Sequence, residues 1–150
     1  MSQEKLIRFT NLLLGFMFYS GIVVILGLPF ILKIAGKYFS PAITEEFWPI
    51  LIIYGLAGIC GVTILNQLRK MIKTVMDKNC FVDNNVQSLK LMGKVSLTIS
   101  ILFIIELFFL PTPVTFVIIL TFFIAGIFSH VLACVFEEAV RYKKENDLTI

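Results

Sequence analysis

Charged residues are scarce in this sequence and almost absent from its longest apolar runs. Asp, Glu, Lys and Arg make up 15% of the 150 residues, whereas about 25% is typical of soluble domains. Hydrophobic residues reach 58%, and the mean hydropathy is +0.93. A chain of this length has too little interior to hide so much apolar surface from water. We therefore expect a single domain that has lipid as its solvent.

Residues and motifs typical of catalysis or metal binding are also few. The three cysteines, Cys60, Cys80 and Cys134, lack the spacing of a metal site, and the one histidine, His130, has no second ligand nearby in sequence. We find no Gly-rich phosphate loop, Ser/His/Asp pattern or metal motif. The net charge of +3 comes from basic residues that lie between apolar runs, which is a pattern of membrane topology rather than of nucleic-acid binding. These absences predict a protein that is not an enzyme and has no cofactor, disulfide or direct nucleic-acid contact.

Four apolar runs are long enough to cross the roughly 30 Å hydrocarbon core as helices. They are residues 11–32, 47–65, 95–110 and 114–136, with approximate bounds. The first run is too long for the core of a signal peptide and lacks an Ala-x-Ala site, so we expect a retained helix. Pro29 either kinks or ends it, while Pro111 and Pro113 separate the last two runs. The sequence predicts an all-α integral membrane protein, a bundle of four transmembrane helices whose partner is the lipid bilayer.

The distribution of basic residues predicts the orientation. Eleven of the thirteen Lys and Arg residues lie before the first run, between the second and third, or after the fourth; the other two are Lys33 and Lys37. Because cytoplasmic flanks are enriched in Lys and Arg, we expect both termini and the connector 66–94 in the cytoplasm.

The cytoplasmic segments have helical periodicity. Apolar residues recur at helical spacing after the second span, at Leu65, Leu68, Ile72 and Val75. We expect this span to continue as an amphipathic helix, and a second helix, capped by Asp83 or Asn84, to lead into the third span. With the tail 137–150 as an extension of the fourth span, the prediction is a helical hairpin (66–94) plus a third helix.

Small residues predict where helices pack, because lipid-embedded helices associate through close approach and polar contacts. Ala125, Ser129 and Ala133 are spaced four residues apart in the fourth run. We expect this ridge to face a neighbouring helix. A homo-oligomer also remains open.

Two ionisable residues lie inside the predicted spans, where such groups are costly. Glu106 should lie at the depth of Tyr54, and His130 at the depth of Ser129, roughly 15 Å away at 1.5 Å per residue. A Glu–His relay is therefore not expected. Either these residues form an ion or ligand site, or they are structural. In the favoured structural interpretation, Glu106 reaches the interface or accepts a hydrogen bond from Tyr54, while His130 bonds a helix neighbour.

Three segments resemble a known family. They are Leu68-Arg69-Lys70-Met71-Ile72, the turn Phe81-Val82-Asp83-Asn84-Asn85-Val86, and the ending Glu145-Asn146-Asp147-Leu148-Thr149-Ile150. This pattern resembles the bacterial four-span membrane proteins known as domain of unknown function 2975, although family members often have Pro where this chain has Cys80. The resemblance implies a protein of the bacterial cytoplasmic membrane, with no established activity, whose gene often neighbours that of a small helix-turn-helix regulator.

A regulator of that kind would dock on the hairpin and the tail. The candidate docking residues are Arg69, Lys70, Lys73, Asn85, Asn146, Asp147 and Leu148. Alternatively, the basic faces are solvated near anionic lipid, and Leu148 and Ile150 pack against the hairpin.

Three functions remain open at this point. The chain is an interaction or sensory partner of the regulator, an immunity or resistance protein against a membrane-active peptide, or a small transport or ion-conducting subunit supported by Glu106 and His130.

Overall fold

The computed structural model describes residues 1–148, and this part of the chain contains five helices and no strand. The helices are α1 (Gln3–Tyr38), α2 (Pro41–Glu45), α3 (Phe47–Met76), α4 (Asp83–Glu106) and α5 (Pro113–Leu148). All but α2 are long and apolar enough to cross a membrane. The prediction of an all-α protein with four long apolar helices is therefore confirmed. Thr149 and Ile150 lie outside the described residues, and with them the predicted packing of Ile150.

Prolines mark the start of α5 but do not end α1. Pro29 lies inside α1, which continues to Tyr38. In the connection before α5, the side chain of Thr112 accepts a hydrogen bond from the backbone N–H of Thr115 at 3.3 Å, and Pro113 is the first helical residue. A Thr cap followed by Pro favours helix initiation. Before this connection, α4 ends at Glu106, whereas the third apolar run was predicted to continue to residue 110.

The short helix α2 closes the connection between α1 and α3. Ser40 precedes it in extended conformation and Pro41 is its first residue. A Cβ atom at Gly36 of α1 would overlap the side chain of Thr44. A glycine at that position therefore lets α2 fold back on α1.

The long helices form a row in which each packs on the next. Contacts run from α1 to α3, from α3 to α4 and, most extensively, from α4 to α5. Within residues 1–148, no Cα atom of α1 lies within 8 Å of a Cα atom of α5. The predicted four-helix bundle is therefore open between α1 and α5, and α4 is the central, most buried helix.

Two ends of the molecule are distinguished by charge. One end carries the first turns of α1, the α3–α4 turn and the last turns of α5, and we call it the basic end. The opposite end carries α2 and residues 107–112, and we call it the loop end. Large apolar side chains cover the outer faces between these ends, for example Phe16, Leu26 and Phe30. Exposed apolar surface of this extent is typical of contact with lipid.

Candidate functional site

The α4–α5 interface is built on two glycines that sequence reasoning missed. A Cβ atom added at Gly93 would overlap the ring of His130 and lie 3.1 Å from the carbonyl oxygen of Gly126. One added at Gly126 would lie 2.8 Å from Cγ of Leu97. The two helices cross where neither carries a side chain, so the backbones approach closely, as at small-residue crossings in membranes.

His130 is held within this crossing. Its Nδ1 atom lies 2.9 Å from the carbonyl oxygen of Gly126, one turn earlier in α5, and its ring covers Gly93. This geometry fixes the ring as a packing element. About 20 Å separates Gly93 from Glu106 along α4, at 1.5 Å per residue, so His130 and Glu106 do not form a pair.

The predicted ridge faces α4 at two of its three positions. The hydroxyl of Ser129 donates a hydrogen bond to the carbonyl oxygen of Leu89 at 2.7 Å, and Ala133 is buried. The placement of Ala125 was wrong, because it is exposed and its neighbour Gly126 is buried instead. Gly126, Ser129 and Ala133 are three and four residues apart, which follows the 3.6-residue period more closely than two steps of four.

Glu106 is the last residue of α4 and is fully buried. Neither carboxyl oxygen has a hydrogen-bond partner among residues 1–148. The hydroxyl of Tyr54 in α3 lies close enough to interact with the carboxyl, as predicted, although its geometry falls outside that of a full hydrogen bond. The prediction that Glu106 reaches the interface was wrong, since its side chain is fully buried within the protein. The backbone carbonyl of Glu106 accepts hydrogen bonds from Phe109 and Leu110, both at 2.8 Å, which fixes the connection to α5.

Beside Tyr54, a groove lies among all four long helices. It has a volume of about 310 Å³ and an almost entirely apolar lining. Tyr54 lines this groove and packs edge-on against Phe103, with ring centroids 5.5 Å apart. Tyr54 thus lies between the groove and the buried carboxyl of Glu106.

At the basic end, the α3–α4 turn is a Schellman motif. The N–H of Asn79 bonds the carbonyl of Thr74 at 3.0 Å and that of Lys78 bonds Val75 at 3.1 Å. Lys78 has φ +57°, the left-handed conformation this motif requires. A helix ends there although glycine, the usual residue, is absent.

The predicted cap of α4 was wrong. Val82 occupies the N-cap position in extended conformation, with no side-chain cap hydrogen bond. Asp83 and Asn84 both lie within the first turn, and the carboxylate of Asp83 instead contacts Lys144 of α5 at 2.8 Å. A carboxylate in a first helical turn still stabilises the helix through its dipole.

Asn85 is a structural residue of the hairpin, and its assignment as a docking residue was wrong. It is 2% exposed, and its side-chain NH₂ group donates to Oγ1 of Thr74 and to the carbonyl oxygen of Cys80, both at 2.7 Å. One turn further, Ser88 donates to the side-chain carbonyl of buried Gln67 at 2.9 Å. These bonds tie α3 to α4 with polar groups whose loss would leave buried partners unsatisfied.

The C-terminal part of α5 packs against this hairpin. The rings of Phe81 and Phe136 meet with centroids 5.4 Å apart, and Val140 is buried. Around this apolar contact, polar pairs join α5 to the hairpin: Lys144 with Asp83, Lys143 with Asn79, and Lys90 with Glu137. We call the resulting unit, residues 66–94 and 136–148, the platform.

Arg69 is also less available than predicted. Its guanidinium lies over the rings of Phe18 and Tyr19 of α1, at 4.8 and 5.6 Å from their centroids. It therefore joins α1 to α3 through cation–π contacts, and as a half-buried residue it is less available for docking than the exposed candidates.

The remaining docking candidates are exposed: Lys70, Lys73, Asn146, Asp147 and Leu148. Leu148 is 85% exposed, so it does not pack against the hairpin. Lys70 lies on the rim of a polar groove of about 500 Å³ between α3 and α4, which also includes Asn84, Gln87 and Leu91. Across the described part of the chain, no three His, Cys, Asp or Glu residues gather as a metal site would require.

The arrangement defines a class: an all-helical protein with four long apolar helices, whose length and composition are those of a multi-pass membrane protein. Residues 33–150 match the family described as protein of unknown function (DUF2975), and the chain belongs to that family. The predicted resemblance is thereby confirmed, although the match begins at residue 33, near the end of α1 and after the whole of the predicted first span. Comparison with curated proteins and with solved structures yields no match.

Proposed function

We propose that this chain is a non-enzymatic protein of the bacterial cytoplasmic membrane that binds a small cytoplasmic helix-turn-helix regulator on its platform. The supporting observation is the platform itself, in which three helical segments are joined by apolar and polar contacts at the basic end. Such a surface is unnecessary for a protein that only fills the bilayer.

The charge distribution supports a cytoplasmic position for the platform. Lys70, Lys73 and Lys78 are exposed there, and so are Lys143 and Lys144 of the tail. Because basic flanks are retained on the cytoplasmic side, the platform faces the compartment in which a DNA-binding regulator is found.

The packing of the C-terminal part of α5 against the hairpin supports a role in presenting a surface to a protein partner. Surface ion pairs such as Lys144–Asp83 contribute little by themselves, about 0–1 kcal/mol. Here they surround the Phe81–Phe136 contact and buried Val140, so they orient a helix that the apolar contact already holds. A rigid surface binds with a smaller entropic cost than one that must be ordered on binding.

The polar groove between α3 and α4 supplies the recognition chemistry. Its rim carries the ammonium group of Lys70 and the side-chain amides of Asn84 and Gln87, beside apolar Leu91. Ammonium and amide donors bind carboxylates and backbone carbonyls, and charge complementarity selects the partner. The groove therefore suits a helix of the regulator that presents an acidic residue next to an apolar one.

Site-specific crosslinking in cells tests the proposal. A photoreactive amino acid at exposed Gln87 should crosslink to a protein that mass spectrometry identifies as a helix-turn-helix regulator. The same amino acid at exposed Glu45, at the loop end, is the matched control and should give no such product.

Charge reversal separates recognition from proximity. Lys70→Glu with Lys73→Glu should reduce the Gln87 crosslink severalfold, whereas Lys33→Glu with Lys37→Glu, at the loop end, should not. A Gln87 product that contains only lipid, or one that both pairs of variants leave unchanged, would refute the proposed partner.

A further inference from the structure

The lining of the groove among the four long helices is almost entirely apolar. The carboxyl group of Glu106 lies behind one lining residue, Tyr54. Every long helix contributes to the groove, with Leu28 from α1, Gly61 from α3, Phe103 from α4 and Phe122 from α5 among the lining residues. Since α1 and α5 do not close the bundle, the groove opens laterally between them. Its ligand would enter from the lipid phase and must therefore be lipophilic.

Glu106 indicates the charge of that ligand. It is the one acidic residue within the predicted spans, it is fully buried, and both its oxygens are without a hydrogen-bond partner in residues 1–148. A buried ionised carboxyl costs several kcal/mol unless a counter-charge or donors compensate it. Polar groups left in this condition are candidates for function.

Tyr54 links the groove to Glu106. Its ring lines the groove and packs against Phe103, while its hydroxyl lies near the carboxyl. A cation over the face of either ring gains cation–π attraction. Because Tyr54 lines the groove and interacts with the carboxyl of Glu106, a cation beside Tyr54 would interact with Glu106 in surroundings of low dielectric, where charges interact over longer distances than in water.

We infer that this groove binds a lipophilic organic cation, whose apolar body fills the groove while its charge lies beside the Tyr54–Phe103 ring pair with ionised Glu106 as counter-charge. A lipid acyl chain would fit the same groove without any use for Glu106. The charge dependence of binding therefore distinguishes the two occupants. The inference is independent of the proposed regulator, because the groove lies near the loop end and the platform at the opposite end.

Binding of radiolabelled methylphenylpyridinium to the full chain in lipid nanodiscs is the direct test. This probe is a flat aromatic cation, and methylbiphenyl is its uncharged analogue of nearly the same shape. We expect saturable binding of the cation that excess methylbiphenyl does not displace. Equal competition by the uncharged analogue would overturn the inference in favour of a purely apolar site.

Two variants locate the site. Glu106→Gln keeps the size of the side chain and removes its charge, and should weaken binding at least about tenfold, a typical loss for a desolvated charge partner. Gly61→Leu should weaken binding to a similar extent by filling the groove, because a Cβ atom at Gly61 meets nothing within 4 Å and leaves the fold unstrained.

Gly55→Leu is the matched control for the groove-filling variant. Gly55 lies on the same helix, a Cβ atom there also meets nothing within 4 Å, and Gly55 does not line the groove. Binding should remain unchanged. If Glu106→Gln fails to fold, the two glycine variants decide. Equal binding by Gly61→Leu and Gly55→Leu, or unchanged binding in folded Glu106→Gln, would overturn the inference.

Discussion

The hydroxyl group of Ser129 donates a hydrogen bond to the backbone carbonyl of Leu89, 2.7 Å away across the α4–α5 interface. Both residues are buried. The acceptor is a carbonyl inside α4. A carbonyl oxygen has two lone pairs, so it can accept this bond as well as the hydrogen bond within its own helix. Between lipid-embedded helices, such bonds contribute roughly 0.6–2 kcal/mol, and this one lies next to the crossing of Gly93 and Gly126, where α4 and α5 approach each other closely.

Ser129→Leu should therefore destabilise the protein. The variant loses the bond to Leu89 and places a larger side chain in a packed interface, which together cost about 2–4 kcal/mol. We expect the apparent melting temperature in detergent to fall by roughly 5 °C or more. Ala125→Leu is the control, because Ala125 is exposed four residues away and should tolerate the same side chain. Equal melting temperatures for the two variants would contradict the assigned interface.

Gly93→Ala should also destabilise the protein, because its methyl group would overlap the ring of His130. Overpacking of this kind costs about 1–3 kcal/mol. Gly15→Ala provides the comparison: a Cβ atom there meets nothing within 4 Å, and alanine favours a helix by about 1 kcal/mol.

A double-mutant cycle identifies the cause. If the His130 ring is the obstacle, His130→Ala should be less harmful in the Gly93→Ala background than in the wild type. The readout is the melting temperature of all four proteins in the same detergent. Additive effects would show that the clash lies elsewhere.

The sequence predicts the presence of the four long helices better than it predicts which face of each helix packs against its neighbour. Uncharged runs of about 20 residues have few structural solutions in lipid, so four long apolar helices follow from composition alone. By contrast, Ala125 and Gly126 are neighbours on a helix, and either one continues a small-residue face that includes Ser129 and Ala133. The choice depends on Gly93 of α4, a contact between positions distant in sequence.

The polar residues of the basic end are also difficult to place from sequence alone. Local pattern favours Asp83 or Asn84 as a cap and Asn85 as a surface residue. The structure buries Asn85 because Thr74 and the carbonyl of Cys80 come from the preceding helix and turn to meet it. Arg69 likewise appears free until α1 brings Phe18 and Tyr19 beside it. Each case concerns a partner that only tertiary structure supplies.

Lys78→Gly should stabilise the α3–α4 turn. Lys78 has φ +57°, a conformation that costs a residue with a Cβ atom about 1 kcal/mol relative to glycine. We expect a higher melting temperature by a few degrees. Lys73→Gly is the control with the opposite sign, because Lys73 is also exposed but lies inside α3, where glycine costs about 1 kcal/mol. If both variants lower the melting temperature, the left-handed residue is not a source of strain.

Cysteine labelling in spheroplasts tests the orientation on which the proposed partner depends. In a chain with Cys60, Cys80 and Cys134 replaced by serine, Lys73→Cys reports the platform and Glu45→Cys reports the loop end; both positions are exposed. An impermeant maleimide should label Glu45→Cys in intact spheroplasts, and Lys73→Cys only after permeabilisation, because Lys and Arg are concentrated at the basic end. The reverse pattern would place the platform outside the cell, where no DNA-binding regulator could reach it, while leaving the cation groove and its buried carboxyl untouched.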